Sequence, residues 1–216
     1  MITTPDLIDS LAKSAAPVQR LRPPVARAAG WLVFAALMIA LMAVVHGLRP
    51  DLAASMRQDA FTITFAAALA TAVLAAIAAF IVSVPGRSRA WSLLPAPALA
   101  IWILNIGYGC LTSWVELPAG IKVGDEANCF ALLVITGVPL SLMMLIMLRH
   151  AALIAPTAVA IMGGLAVSAV TAVALSLFHS HDASALVLLW NLGVGVLYVG
   201  LGSLYGRRIF SWVAPR

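Results

Sequence analysis

Six stretches free of Asp, Glu, Lys and Arg dominate this sequence. They lie between Arg27 and Arg49 (21 residues), Asp59 and Arg87 (27), Arg89 and Glu116 (26), Glu126 and Arg149 (22), His150 and His179 (28), and Asp182 and Arg207 (24). Each matches or exceeds the ~20 residues that cross ~30 Å of hydrocarbon as a helix. No backbone N–H or C=O can stay unpaired in lipid, so runs of this kind fold as α-helices. The expectation is an all-α polytopic membrane protein. Its six-transmembrane-helix bundle has spans near 28–48, 60–82, 92–113, 128–148, 156–178 and 184–206. Together these make one transmembrane domain, 28–210, behind a cytoplasmic N-terminal tail, 1–27. Composition agrees, with 10% charged residues where a soluble domain carries roughly 25%. The first run is not read as a cleaved signal peptide. It is too long for an h-region, and five more runs follow it.

Lysine and arginine in the short loops set the orientation. The tail, the 83–91 loop, Arg149 and the C-terminal residues hold Lys13, Arg20, Arg22, Arg27, Arg87, Arg89, Arg149, Arg207, Arg208 and Arg216. The opposite side holds Arg49, Arg57 and Lys122. The richer side marks the cytoplasm, so both termini are expected inside, in a bacterial inner membrane. The net charge of +5 is spread over helix ends, which is no footprint for direct nucleic-acid binding. The bilayer is the first expected partner, and a homo-oligomer is a further option.

Both cysteines fall at the shoulders of one outer loop, Cys110 before it and Cys129 after it. That side of an inner membrane permits disulfides. Helices three and four are joined by a short loop, which makes them candidate antiparallel neighbours with the thiols at similar depth. Three readings stand open for the pair: packed apolar residues, a disulfide switch, or part of a soft divalent metal site. The outer segment FHSHD adds His179 and His181. Two His and two Cys on one face would make a four-ligand set. The alternative is a polar turn whose Asp182 caps helix six.

The tail begins MITTPDLIDSLAKSAAPVQRLRPP. Leu7, Leu11 and Ala15 recur at i, i+4 and i+8, one face of a helix. Pro17 should end that helix near Ala16, and Pro23-Pro24 makes a stiff joint before the first span. A helix of ~10 residues is marginal alone. The tail is expected to dock, through Leu7, Ile8 and Leu11 of the helix and Val18 and Leu21 after it, onto a groove of a partner, or else the helix lies on the bilayer. Within the spans, small residues at four-residue spacing point to close helix packing: Ala68, Ala72 and Ala76; Gly164, Ser168, Ala172 and Ser176; Gly202 and Gly206. Asn105 and Asn191 are the main intramembrane amides and are expected to bond between helices.

No ionisable side chain falls mid-span, which disfavours an ion-coupled carrier. Ser113 and Glu116 lack a base partner, which disfavours an enzyme. A small metal or solute transporter, or a membrane-bound sensor, fits this pattern as well.

The segments DLIDSLAKSAAPVQRLRPP, GLRPDL, SVPGRSRAW, GYGCLTSW, EANCF and FHSHDASALVLLWNLG occur in this order in the chain. In that order they resemble the NrsF-type proteins, six-helix membrane anti-sigma factors that act as negative regulators of an ECF sigma factor. The resemblance spans about residues 5–210. It implies a protein without catalytic activity that holds an ECF sigma factor inactive at the cytoplasmic face. It also implies release under heavy-metal or redox stress through the two cysteines, here Cys110 and Cys129. One departure is Asn191, where the family pattern LLWxLG leads us to expect His.

Overall fold

The structure is a computed structural model, and it describes residues 3–14, 22–113, 123–148 and 156–178. All regular structure among the described residues is helical. The elements are α1 (Thr4–Ser14), α2 (Pro24–His46), α3 (Leu52–Ser55), α4 (Asp59–Val82), a 3₁₀ turn (Arg89–Leu93), α5 (Ala96–Ser113), α6 (Val123–Leu148) and α7 (Pro156–Phe178). Four stretches among the described residues are long and apolar enough to cross a membrane: Pro24–His46, Asp59–Val82, Arg89–Gly107 and Thr157–Phe178. Leu132–Leu148 of α6 is a further apolar stretch. The expected sixth span lies outside the described residues.

Helix ends differ from the sequence boundaries for local reasons. α2 starts at Pro24 because proline suits the first turn, where its missing N–H is no loss. It stops at Gly47, whose φ of 74° closes the helix with an N–H donated to the Ala43 carbonyl at 3.1 Å. A positive φ of this kind favours glycine. α6 starts at Val123, so Asp125 and Glu126 belong to its first turns and not to a loop. Acidic residues are favoured there by the positive end of the helix dipole. The chain entering α5 first makes the 3₁₀ turn, with the Ser88 hydroxyl accepting the Ala90 N–H at 3.2 Å.

α4 and α7 form the centre. Of their apolar windows, 61% and 67% are buried within the protein, against 22% for α2. α5 packs on α4; α6 packs on α7 and α2; α2 also packs on α4. The reason is side-chain size. α4 buries Ala67, Ala68, Ala72, Ala75, Ala76, Ala78 and Ala79, so neighbouring backbones can come close. The Ala68, Ala72, Ala76 row expected from the sequence lies inside this seam. In the second row Ala172 is buried, while Gly164, Ser168 and Ser176 are half-buried. Buried hydroxyls are satisfied within their own helices: Thr71 donates to Ala67, Thr136 to Leu132 and Thr171 to Val167, each at 2.7 Å. Asn105 also bonds its own helix, donating to the Ile101 carbonyl at 3.0 Å, and not a neighbour as expected. Asn191 lies outside the described residues.

The outer surface of the bundle is apolar. Val33, Leu37, Leu41, Val44, Ile63, Leu104, Val138 and Leu142 are all exposed. Exposed apolar side chains in this number are unfavourable in water and normal against lipid tails.

Candidate functional site

Three places bear on function: the tail helix and the two ends of the bundle. In α1 the Asp6 carboxylate accepts the Thr3 N–H at 3.3 Å and also the Thr3 hydroxyl. This is one half of a capping box, with Asp in the place of Glu. Pro5 falls inside the first turn of α1, where its missing N–H is no loss. Lys13 and Asp9 pair at 3.3 Å, one turn apart and both exposed, a contact of small energetic weight. Leu7, Ile8 and Leu11 stand on α1. Ile8 is 62% exposed, an apolar side chain on a short helix with its own cap. Val18 and Leu21 lie outside the described residues.

At one end of the bundle, the first turn of α2 meets the last turns of α4 and α6. The Arg27 guanidinium lies 5.1 Å from the centre of the Phe80 ring and donates to the Met147 carbonyl. One turn further on, the fully buried Trp31 donates its indole N–H to the Leu140 carbonyl at 3.2 Å. Leu140 directly follows Pro139, the proline inside α6. A proline removes one bond from the helix ladder; here that is the bond to the Ile135 carbonyl.

The opposite end is organised by Arg49. Its backbone N–H bonds the Leu177 carbonyl at 3.1 Å, tying the loop after α2 to the last turn of α7. Its side chain, only 9% exposed, approaches Asp51 at 3.5 Å, donates to the Ser55 hydroxyl and stacks over Phe61 at 4.8 Å. A small apolar cluster of Met42, Leu132 and Leu175 lies toward the same end. These contacts fix the directions: α2 and α7 run one way, α4 and α6 the other.

Cys110 stands in the last turn of α5, and Cys129 in the second turn of α6. Their side chains lie outside the described ones. Among the described residues, α5 packs on α4 while α6 packs on α7 and α2. Each cysteine-bearing helix thus packs on a member of the central pair among the described residues, and the pairing of the two thiols stays an expectation. His179 and His181 lie outside the described residues, so the four-ligand set stays an expectation.

Arg27, Trp31 and Arg49 escaped the sequence reading as site residues. Arg27 and Arg49 counted there only as topology signals, and an indole gives no local sign of a partner 109 positions away. A family model described as NrsF, negative regulator of sigma F, matches residues 11–212. Leu11 opens that match, while Leu7 and Ile8 precede it. No curated protein and no solved structure matches the chain.

Proposed function

The chain belongs to the NrsF family, negative regulators of sigma F, and from that premise we propose an integral membrane anti-sigma factor. It crosses the membrane six times with both termini in the cytoplasm. Its tail, residues 1–27, holds an ECF-type sigma factor away from RNA polymerase. Leu7, Ile8, Leu11, Val18 and Leu21 supply the apolar contact. Cys110 and Cys129 face the periplasm and respond to an oxidant or to a soft divalent metal, with His179 and His181 as the further metal ligands. No reaction is catalysed. The signal acts by favouring one helix arrangement over another, and it shifts the equilibrium only by its differential affinity for the two. A coupling of roughly 5–150-fold is typical and is enough to release a modestly bound partner.

The family match carries this reading. Three further observations support it. The helices are long, apolar and exposed on their outer faces, as lipid requires. Arg27 and Arg49 sit at opposite ends of α2, with the cation-rich tail on the Arg27 side. α1 offers an exposed apolar residue on a capped helix too short to be stable alone. The test is co-purification of the sigma factor from native membranes with the full chain and with a chain lacking residues 1–22. Loss of the sigma factor with normal membrane insertion supports the tail as the binding element. Undiminished recovery moves that element to the inner loops.

A further inference from the structure

α2 and α6 are joined by two side-chain donors, both on α2. Arg27 and Trp31 are four residues apart, hence on one helix face. Their acceptors, the Met147 and Leu140 carbonyls, are seven apart, two turns along one face of α6. The pairing is antiparallel: the earlier donor meets the later acceptor. Both acceptors lie beyond Pro139, on the side of α6 away from Cys129. The half of α6 after Pro139 is therefore fastened to the first two turns of α2. Those turns follow directly on Pro23-Pro24, the stiff joint that carries the tail. Phe80 supports the same point from α4 by stacking with Arg27 at 5.1 Å.

We infer that Arg27 and Trp31 are positioning residues: through the Leu140 and Met147 carbonyls they carry a displacement of α6 to the root of the tail. The inference rests on the reading of α6 as the sensing helix and the tail as the output. Cys129 lies 18 residues before Met147, about 27 Å along a helix at 1.5 Å per residue. A helix is stiff over that length except where its ladder is broken. Pro139, between Cys129 and the two acceptors, is such a place, so a displacement at the Cys129 end arrives there as a change of bend, and the two donors grip α6 just past that bend. A change at the Cys129 end then reaches the α2 root through two directed bonds. Loose apolar contact alone would dissipate it in side-chain repacking. An interhelical side-chain hydrogen bond in a membrane is worth on average about a three-fold change in an equilibrium, which sets the expected size of the effect.

The experiment uses the full chain with Cys110→Ser in nanodiscs of native lipid. Bulk is added at Cys129 with N-ethylmaleimide, and in a second chain by Cys129→Trp. Hydrogen exchange is read at the amides of residues 25–31. The parent chain should show an exchange change of about three-fold on modification. Trp31→Phe keeps the ring and removes the donor; Arg27→Met keeps the length and removes the donor. Both should abolish that change while still folding, and Arg27→Lys, which retains a donor, should restore it. A purely structural role would alter the exchange of the unmodified chain and leave the response to bulk intact. An equal response in Trp31→Phe and Arg27→Met overturns the inference, as does no response in the parent chain under both modifications. Sigma-factor capture by the same preparations is scored separately. Failure there removes the anti-sigma reading, while the exchange data still decide whether the two bonds conduct.

Discussion

Replacing Ala76 by Leu tests the alanine seam at the centre of the bundle. Ala76 is fully buried on α4, within the cluster that includes Ala72, Ala75 and Ala79 from its own helix and Ala166, Ala169 and Val170 from α7. Leucine adds three carbon atoms where no space is left. Forcing extra methylenes into a packed core costs typically 1–3 kcal/mol, so a loss of about 2 kcal/mol is expected, a factor of about thirty in the folded-to-unfolded ratio. Ala66 supplies the control. It lies on the same helix, ten positions earlier, and is exposed. In lipid, Ala66→Leu meets only hydrocarbon and should be nearly neutral. Stability of the two full-length variants is measured in bicelles by titration with SDS, following helix loss. Equal destabilisation of both, or a neutral Ala76→Leu, would refute close α4–α7 packing as the basis of the core. The comparison holds hydrophobicity constant and varies only contact. That separation matters, because between helices in a membrane packing takes the place of the hydrophobic drive.

Three further outcomes are expected. Arg49→Met should cost about 1–2 kcal/mol by removing the Ser55 hydrogen bond and the Phe61 contact, while Arg57→Met, at an exposed site, should change stability by less than about 0.5 kcal/mol in the same SDS titration. Ile8→Asp should weaken sigma-factor capture by about ten-fold through loss of an apolar contact worth roughly 1.5 kcal/mol, with unchanged membrane insertion; capture equal to the parent would take Ile8 out of the interface. A membrane-impermeant maleimide added to intact spheroplasts under reducing conditions should label Cys110 and Cys129. Labelling only after lysis would place both thiols on the cytoplasmic side.

The helices were readable because lipid allows few alternatives. An uncharged run of more than 20 residues fixes helix and location together: α7 falls within such a run, and α2 and α4 fill most of theirs, α2 starting just before Arg27 and α4 at Asp59. The alanine row at 68, 72 and 76 was readable too, since spacing by four places residues on one face. The order of packing was not readable. Among the described residues α4 and α7, far apart in the chain, take the centre, because their small residues allow the closest approach. The sequence also treated Asp125 and Glu126 as loop residues, although both suit a helix start. Asn105 turned back to its own backbone, a choice between local and distant acceptors that no pattern encodes. Arg27 and Arg49 counted in the sequence only as topology signals. Each instead spends its guanidinium on an aromatic ring and a hydrogen-bond acceptor at a helix junction, and such junctions exist only once the chain has folded back on itself.

The decisive question is whether a signal at the two thiols frees a sigma factor held on the other side of the membrane. Native membranes carrying the full chain are treated with diamide or left untreated, and the sigma factor that co-purifies is quantified. The same is done for the chain with Cys110→Ser and Cys129→Ser. The sigma factor should be recovered from both untreated samples, fall at least five-fold on oxidation of the parent chain, and stay constant in the double variant. Equal loss from both chains, or no sigma factor with either, contradicts the account.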